Sequence, residues 1–196
     1  MQRQTAGRVA HVRVTKDDLA PQVRGSRGVQ MKEARSMTNS RYAAFDALSP
    51  FFDIVMEGLT GLVHGKHFFD VIADDSFFDF RYDFPGWPRT IRGRTALMDQ
   101  FSVYGKSIRL HSADGLVVHR SQDGRVVILE YDVHGTILAT RVPYDNRFSS
   151  IITIENRKVV HWRDYMDSLA AWTALNGKKV PATPSRQERS PRNGAR

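Results

Sequence analysis

The spacing of hydrophobic positions shifts from mainly helical to mainly alternating along this chain. Over residues 47–62 they recur at helical intervals, at Leu48, Phe51, Phe52, Val55, Met56, Leu59 and Leu62, which marks one face of an amphipathic helix. Ser49 followed by Pro50 reads as an N-cap and a first-turn proline, and the helix is expected to end near His64 and Gly65. A short second helix is expected over 66–72, carrying Phe68, Phe69 and Ile72. Ala73, Asp74 and Asp75 read as a turn into a strand over 76–82, made β-prone by Phe77, Phe78 and Phe80. Residues 83–88 form a loop punctuated by Pro and Gly, 90–93 a brief strand, and 94–104 a helix with Leu97, Met98, Phe101 and Tyr104 on one side. From Ile108 the period falls to two. Strands are expected over 108–120 and 125–139, joined by the hairpin signal Asp123-Gly124, then over 144–155. Asn156, Arg157 and Lys158 turn into a fourth long strand, and a terminal helix over 168–175 ends at Asn176-Gly177. Residues 1–36 show no sustained period; Val9 to Val14 alternate as a strand would, with nothing near them to pair with.

Helices first and an antiparallel meander afterwards define an α+β domain. The expected architecture is a cone: a strongly curved mixed or antiparallel sheet wrapped by three N-terminal helices, with a short C-terminal helix, a closed apolar base and an open mouth. The domain is expected over residues 41–177, between a basic leader (1–40) and a basic tail (178–196) whose compositions predict disorder. Met31 or Met37 is the expected native start, because MTNSRYAAFDAL reads as an ordinary beginning.

Composition changes this picture in three places. The formal charge of +8 invites a nucleic-acid reading. Its location argues otherwise: residues 1–40 hold eight Lys or Arg against three Asp or Glu, and 176–196 hold six against one. The remaining body carries net −2. Loose contact of the ends with nucleic acid is the lesser expectation. The absence of cysteine excludes disulfides and Cys-based zinc sites. No apolar run is long enough to span a membrane as a helix, and the basic N-terminus has no apolar stretch of a secretory signal after it, so a cytoplasmic location is expected.

Candidate chemistry sits on the long strands. Alternation puts Val126, Ile128, Glu130, Asp132 and His134 on one face and Val127, Leu129, Tyr131, Val133 and Ile137 on the other. Val160, Trp162, Asp164 and Met166 share a face of the last strand. Two readings are open. Ionisable groups beside large apolar ones can make the polar end of an apolar pocket. Alternatively, Glu130, Asp132 and His134 form the wet face of an antiparallel sheet.

The element order, together with ADDSFFDF, IRGRTALMDQF and VVHWRDYMD, resembles the nuclear-transport-factor-2-like superfamily, and within it the SnoaL-like and ketosteroid-isomerase-like members. The pattern Glu130-x-Asp132-x-His134-Gly135-x-Ile137, Tyr144-x-Asn146-x-Phe148 and Arg163-Asp164-Tyr165-Met166 is similar to the small phenazine-pathway proteins, where an acid at the position of Asp164 is implicated in proton transfer. WRDYMD also resembles the end of limonene-epoxide hydrolases, whose second catalytic Asp would fall on Asp132. Glu130 stands where those enzymes have Arg, and Phe78 and Phe80 where they have Tyr and Asn. The ketosteroid-isomerase positions fall near Met56 and near Asp79 or Phe80, which do not match.

The resemblance implies a cavity faced by Glu130, Asp132, His134, Asn146, Phe148, Asp164 and Met166. Asp164, Asp132, His134 and Glu130 are then the catalytic candidates. Asn146, Phe148, Met166, Trp162, Phe80 and Trp87 are the substrate-binding candidates, with no metal and no cofactor. Burial and like charge raise a carboxyl pKa, so one acid could give a proton while a neighbour takes one. The expected function is cofactor-free acid/base catalysis of isomerisation, cyclisation or condensation on a small hydrophobic carbonyl or cyclic compound. The alternatives are a non-catalytic ligand-binding or dimeric accessory module, and an epoxide-hydrolase-like activity. A homodimer is expected through the outer sheet face, taken to include Tyr131, Val133, Ile151 and Thr153.

Overall fold

The computed structural model describes residues 10–11 and 41–177. The expected leader and tail therefore lie almost wholly outside the described residues. Four helices, α1 (Ser49–Gly58), α2 (Phe68–Val71), α3 (Arg94–Tyr104) and α4 (Ser168–Leu175), accompany seven strands. The strands are β1 (Ala10–His11), β2 (Ile72–Phe80), β3 (Thr90–Arg92), β4 (Ile108–Arg120), β5 (Val126–Ile137), β6 (Pro143–Glu155) and β7 (Lys158–Met166). They form one curved, open sheet in the order β1-β4-β5-β6-β7-β2-β3. Among the described strands, only β2 and β7 pair in parallel. The α+β cone expected from the pattern is the observed fold.

Several local expectations are corrected. Ser49 is the first helical residue of α1, not its cap. A 3-10 helix over Ala43–Leu48 leads into α1 and its Asp46 carbonyl accepts the Ser49 N–H, so no side-chain cap is needed. Helix α1 also stops at Gly58, earlier than expected, and turns follow. Helix α2 is a single turn, held by a reciprocal cap: His67 Nδ1 accepts from the Phe69 N–H at 3.2 Å, and Asp70 Oδ2 accepts from the His67 N–H at 3.1 Å. Burial holds the His67 pKa below its ordinary value, which suits an accepting imidazole. Ala73, Asp74 and Asp75 do not turn. They lie within β2, where the pairing with β7 slips between Ile72 and Phe77, and Asp74 is ion-paired to Arg94 at the start of α3. Ala10 and His11 do find partners, Arg120 and His119 of β4, far away along the chain.

The core lies between the concave face of the sheet and the helices. Phe52, Val55, Leu59, Phe68, Phe69 and Leu97 pack there with Phe78, Val127, Leu129, Ile152 and Trp162. Inward positions are odd on β5 and even on β6 and β7. Val127, Leu129, Tyr131 and Val133 are buried, as are Tyr144, Asn146, Ser150, Ile152, Trp162 and Asp164. On β7 the register shifts beside Val159, so Val159 is buried and Val160 is not. Gly135 lies close against β4, opposite Leu110. A Cβ there would come within 2.5 Å of the Arg109 carbonyl oxygen, and the β4–β5 register shifts next to it. The Phe80-to-Thr90 loop and α4 stand at the open end, joined by an edge contact between the Phe84 and Trp172 rings.

Candidate functional site

The cone encloses a cavity of about 210 Å³. Its wall is aromatic: Phe51, Phe80, Tyr82, Trp87, Phe101 and Phe148 all reach it, with Tyr104 and Tyr144. Asp164 is the one ionisable carboxyl or amine among the lining residues.

Strand β7 presents Asp164 inward, and only 7% of it is exposed. Its Oδ1 accepts from the Ser150 hydroxyl at 2.6 Å and from the Trp162 indole N–H at 3.2 Å. Tyr131 and Ser150 hydroxyls lie 3.1 Å apart, so with the Ser150 proton committed to Asp164 the Tyr131 O–H donates to Ser150. The second oxygen, Oδ2, has no protein partner among the described residues. Desolvation raises the Asp164 pKa to about 6, against the two hydrogen bonds, which lower it.

A second network faces the same space. The Tyr144 oxygen accepts from Tyr104 O–H at 3.2 Å and from Asn146 Nδ2 at 2.9 Å. Its own proton has no acceptor among the described residues. Two incoming hydrogen bonds make Tyr144 the better hydrogen-bond donor of the pair; burial nonetheless holds both phenols above their ordinary pKa. Tyr82, at the cavity wall after β2, is raised as well by burial and by the charge of Asp164.

The structure divides the expected site residues. Asp164, Phe148, Met166, Phe80 and Trp87 line the cavity, and Trp162 braces Asp164 from behind. Asn146 is buried but committed: Nδ2 serves Tyr144 and the Met166 sulfur, and Oδ1 accepts from the Arg147 and Asp167 N–H groups. It positions Tyr144 and has no group left to orient a substrate carbonyl. Glu130, Asp132 and His134 are on the outer face, which corrects their expected placement in the cavity. His134 Nδ1 lies 2.7 Å from Asp145 and its Nε2 3.5 Å from Asp114. Glu130 pairs with His119 at 3.4 Å, and Asp132 sits opposite Arg147 and Asp114.

The reason is parity. Paired residues share a face, and β5 pairs Tyr131 with Phe148 and Val133 with Asn146. An odd position on β5 therefore faces the same way as an even one on β6. Asp132 and Phe148 cannot both point inward. Strands β6 and β7 pair even with even, Ser150 against Asp164, which keeps Asp164 inside. The wet-face reading of Glu130, Asp132 and His134 is the one the structure bears out. Sequence reasoning missed Ser150, Tyr131, Tyr82 and the Tyr104–Tyr144 pair as site groups. One signal was available: Ser150 shares its parity with Phe148 and Ile152, which are apolar. No group of three His, Asp or Glu side chains among the described residues is arranged to hold a metal ion.

A curved α+β cone around a cavity, with a single inward acid among the described residues, is the architecture of the nuclear-transport-factor-2-like class. The chain shares the fold of nuclear-transport-factor-2-like proteins. An uncharacterised protein of Bacillus subtilis (strain 168), YesE, is 31% identical over 112 residues, spanning 57% of this chain and 76% of that protein. A crystal structure from Bacillus subtilis, of a protein provisionally named an isomerase, is similar with TM-score 0.55 and 27% identity, over 70% of this chain and 96% of that one. A phenazine biosynthesis-related protein of Pseudomonas aeruginosa shares the fold at TM-score 0.51 and 17% identity, over 87% of this chain and 97% of that one. A scan against models of known families finds no match. Among the described residues no helix is long and apolar enough to cross a membrane.

Proposed function

We propose that the domain is a cofactor-free acid/base enzyme that shifts a proton on a small, flat, hydrophobic carbonyl compound. The observation that carries this is Asp164: one oxygen is held by two neutral donors, the other is open to the cavity, and its pKa of about 6 lies close to neutrality. The ionised carboxylate takes the proton next to the carbonyl as the C–H electron pair moves into the enolate. The Tyr144 O–H, with its oxygen fixed by Tyr104 and Asn146, donates to the developing oxyanion. Asp164 then returns the same proton to another carbon, so the step needs no oxidant and no metal. The provisional isomerase name of the Bacillus subtilis neighbour agrees in kind. Two-acid epoxide opening is not carried forward, because Asp132 lies outside the cavity.

The test is deuterium uptake by 2-indanone and 2-tetralone in heavy water, followed by NMR. The full chain is expected to accelerate exchange, and Asp164→Asn to lower that acceleration by about 10²–10⁴-fold, the usual contribution of a general base. Equal exchange by both proteins would overturn the reading.

The same reading includes a homodimer through the outer sheet face. Tyr131 and Val133 do not belong to that face, since both are buried inside. Val117, Ile128, Ile151 and Thr153 do, with Asp114, Asp132 and Asp145 toward one side and Arg147 and Arg163 toward the other. A two-fold axis would bring unlike charges together. Analytical ultracentrifugation is expected to show a dimer that Ile151→Asp converts to monomer; a monomeric parent chain would remove this part.

A further inference from the structure

The charge inside the cavity carries a consequence for what can bind there. Among the described lining residues Asp164 is the sole charged group. The causes acting on Asp164 are burial and the Ser150 and Trp162 hydrogen bonds, with no lysine, arginine or histidine among them. A carboxylate in an apolar enclosure without a cation is costly. The surrounding wall is built of Phe51, Phe80, Trp87, Phe101 and Phe148, whose ring faces carry negative potential and attract cations. Trp87 meets Phe80, Phe101 and Tyr104 edge-on, at centroid separations of 5.5, 6.4 and 5.2 Å. These two features, an uncompensated carboxylate and an aromatic enclosure, are the complementary surface of an organic ammonium ion.

We propose that the cavity is a binding site for a compact protonated amine with a flat apolar body, its ammonium on Asp164 Oδ2 and its carbon skeleton against the rings. The volume, about 210 Å³, is below the roughly 300 Å³ at which drug-sized pockets begin, which limits the ligand to one or two rings. Carboxylates and phosphates are excluded by the same charge. The site holds amines whether or not Asp164 also moves protons, so this binding and the exchange reaction stand or fall separately.

Binding depends on pH through Asp164. The titratable groups that face it are phenols: Tyr82 after β2, Tyr104 on α3, Tyr131 on β5 and Tyr144 on β6. All four are held above their ordinary range, so they stay neutral while Asp164 ionises. Amine affinity therefore rises as pH increases through about 6 and levels off above it.

The test uses three probes of one shape: phenethylamine, phenethyl alcohol and phenylacetate, titrated by calorimetry into the full chain at pH 5 and pH 7.5. The expected result at the higher pH is a tenfold or greater preference for the amine over the alcohol, and weaker binding of the acid than of either. At pH 5 the preference shrinks. In Asp164→Asn, confirmed as folded by circular dichroism, the amine-to-alcohol ratio falls to about one. Ser150→Ala removes a hydrogen bond that lowers the Asp164 pKa, so the pH midpoint of amine binding moves upward. Equal affinities for amine and alcohol in the parent chain, a preference that survives Asp164→Asn, or an amine dissociation constant weaker than about 10 mM overturns the proposal.

Discussion

The two faces of one sheet treat their ionisable groups in opposite ways. On the inner face Asp164 is held by neutral donors and shut away from water, and its pKa rises because burial penalises the charged form. On the outer face His134 sits 36% exposed between two carboxylates, and its pKa also rises, but because Asp145, and then Asp114, favour the charged imidazolium. The directions agree and the causes do not. A neutral-or-charged choice inside is what the proposed proton transfer would use; several satisfied charges outside are a solvated surface. Residues one step apart on a strand thus acquire unrelated chemistry.

That contrast is breakable by mutation, and the largest effect should be on catalysis. Paired variants separate the faces: Asp164→Asn is expected to abolish most ketone exchange, whereas Asp132→Asn should change it by less than about twofold, as surface substitutions away from a site do. Comparable losses in both would mean that the outer face takes part.

The next effect is on stability. Because its pKa is raised from 3.8 to about 6, Asp164 binds more protons folded than unfolded between those values. Its contribution to stability therefore falls as pH rises through that window and is constant above it. At 1.4 kcal/mol per tenfold change in proton affinity, ionising it costs the fold about 3 kcal/mol at pH 7. Asn keeps an oxygen for Ser150 and Trp162, so Asp164→Asn should be more stable than the parent at pH 7.5 and no more stable at pH 3.5. Urea midpoints at the two pH values check this.

Gly135 tests the geometry that separates the faces. Adding a methyl group there drives it into the Arg109 carbonyl, and β5 must move. Gly135→Ala should lose about 2 kcal/mol, read as a lower melting temperature.

The smallest effect belongs to the outer face. His134 has a raised pKa, so its pairing stabilises the fold below its unfolded value and is lost as pH rises through the folded one. His134→Gln should cost about 0.5 kcal/mol at pH 5.5 and nothing measurable at pH 9, since the pair is solvent-screened. A loss at pH 5.5 that persists unchanged at pH 9 would assign His134 a packing role instead.

Much of the architecture was written locally. The helical spacing around Phe52 and Val55, the Asp123-Gly124 hairpin, the turn at Asn156 and the stop at Asn176-Gly177 all operate within a few residues, and those elements are present, the first of them shorter than its spacing predicts. The composition of β7 likewise placed Asp164 beside Trp162 and Met166. Which acids look inward was a different kind of question. Alternation says that Glu130 and Tyr131 point apart, but not which of them meets the core. That choice depends on how β5 pairs with β6, across a connection of a few residues whose length shifts parity. One residue more or less in that register would exchange Tyr131 for Asp132 on the buried face. The Asp164–Ser150 bond and the Tyr104–Tyr144 bond join residues 14 and 40 positions apart, and exist only because strands and helix converge on one space. Local sequence determined the elements and their two-faced character; the pairing of distant strands decided which face became a site.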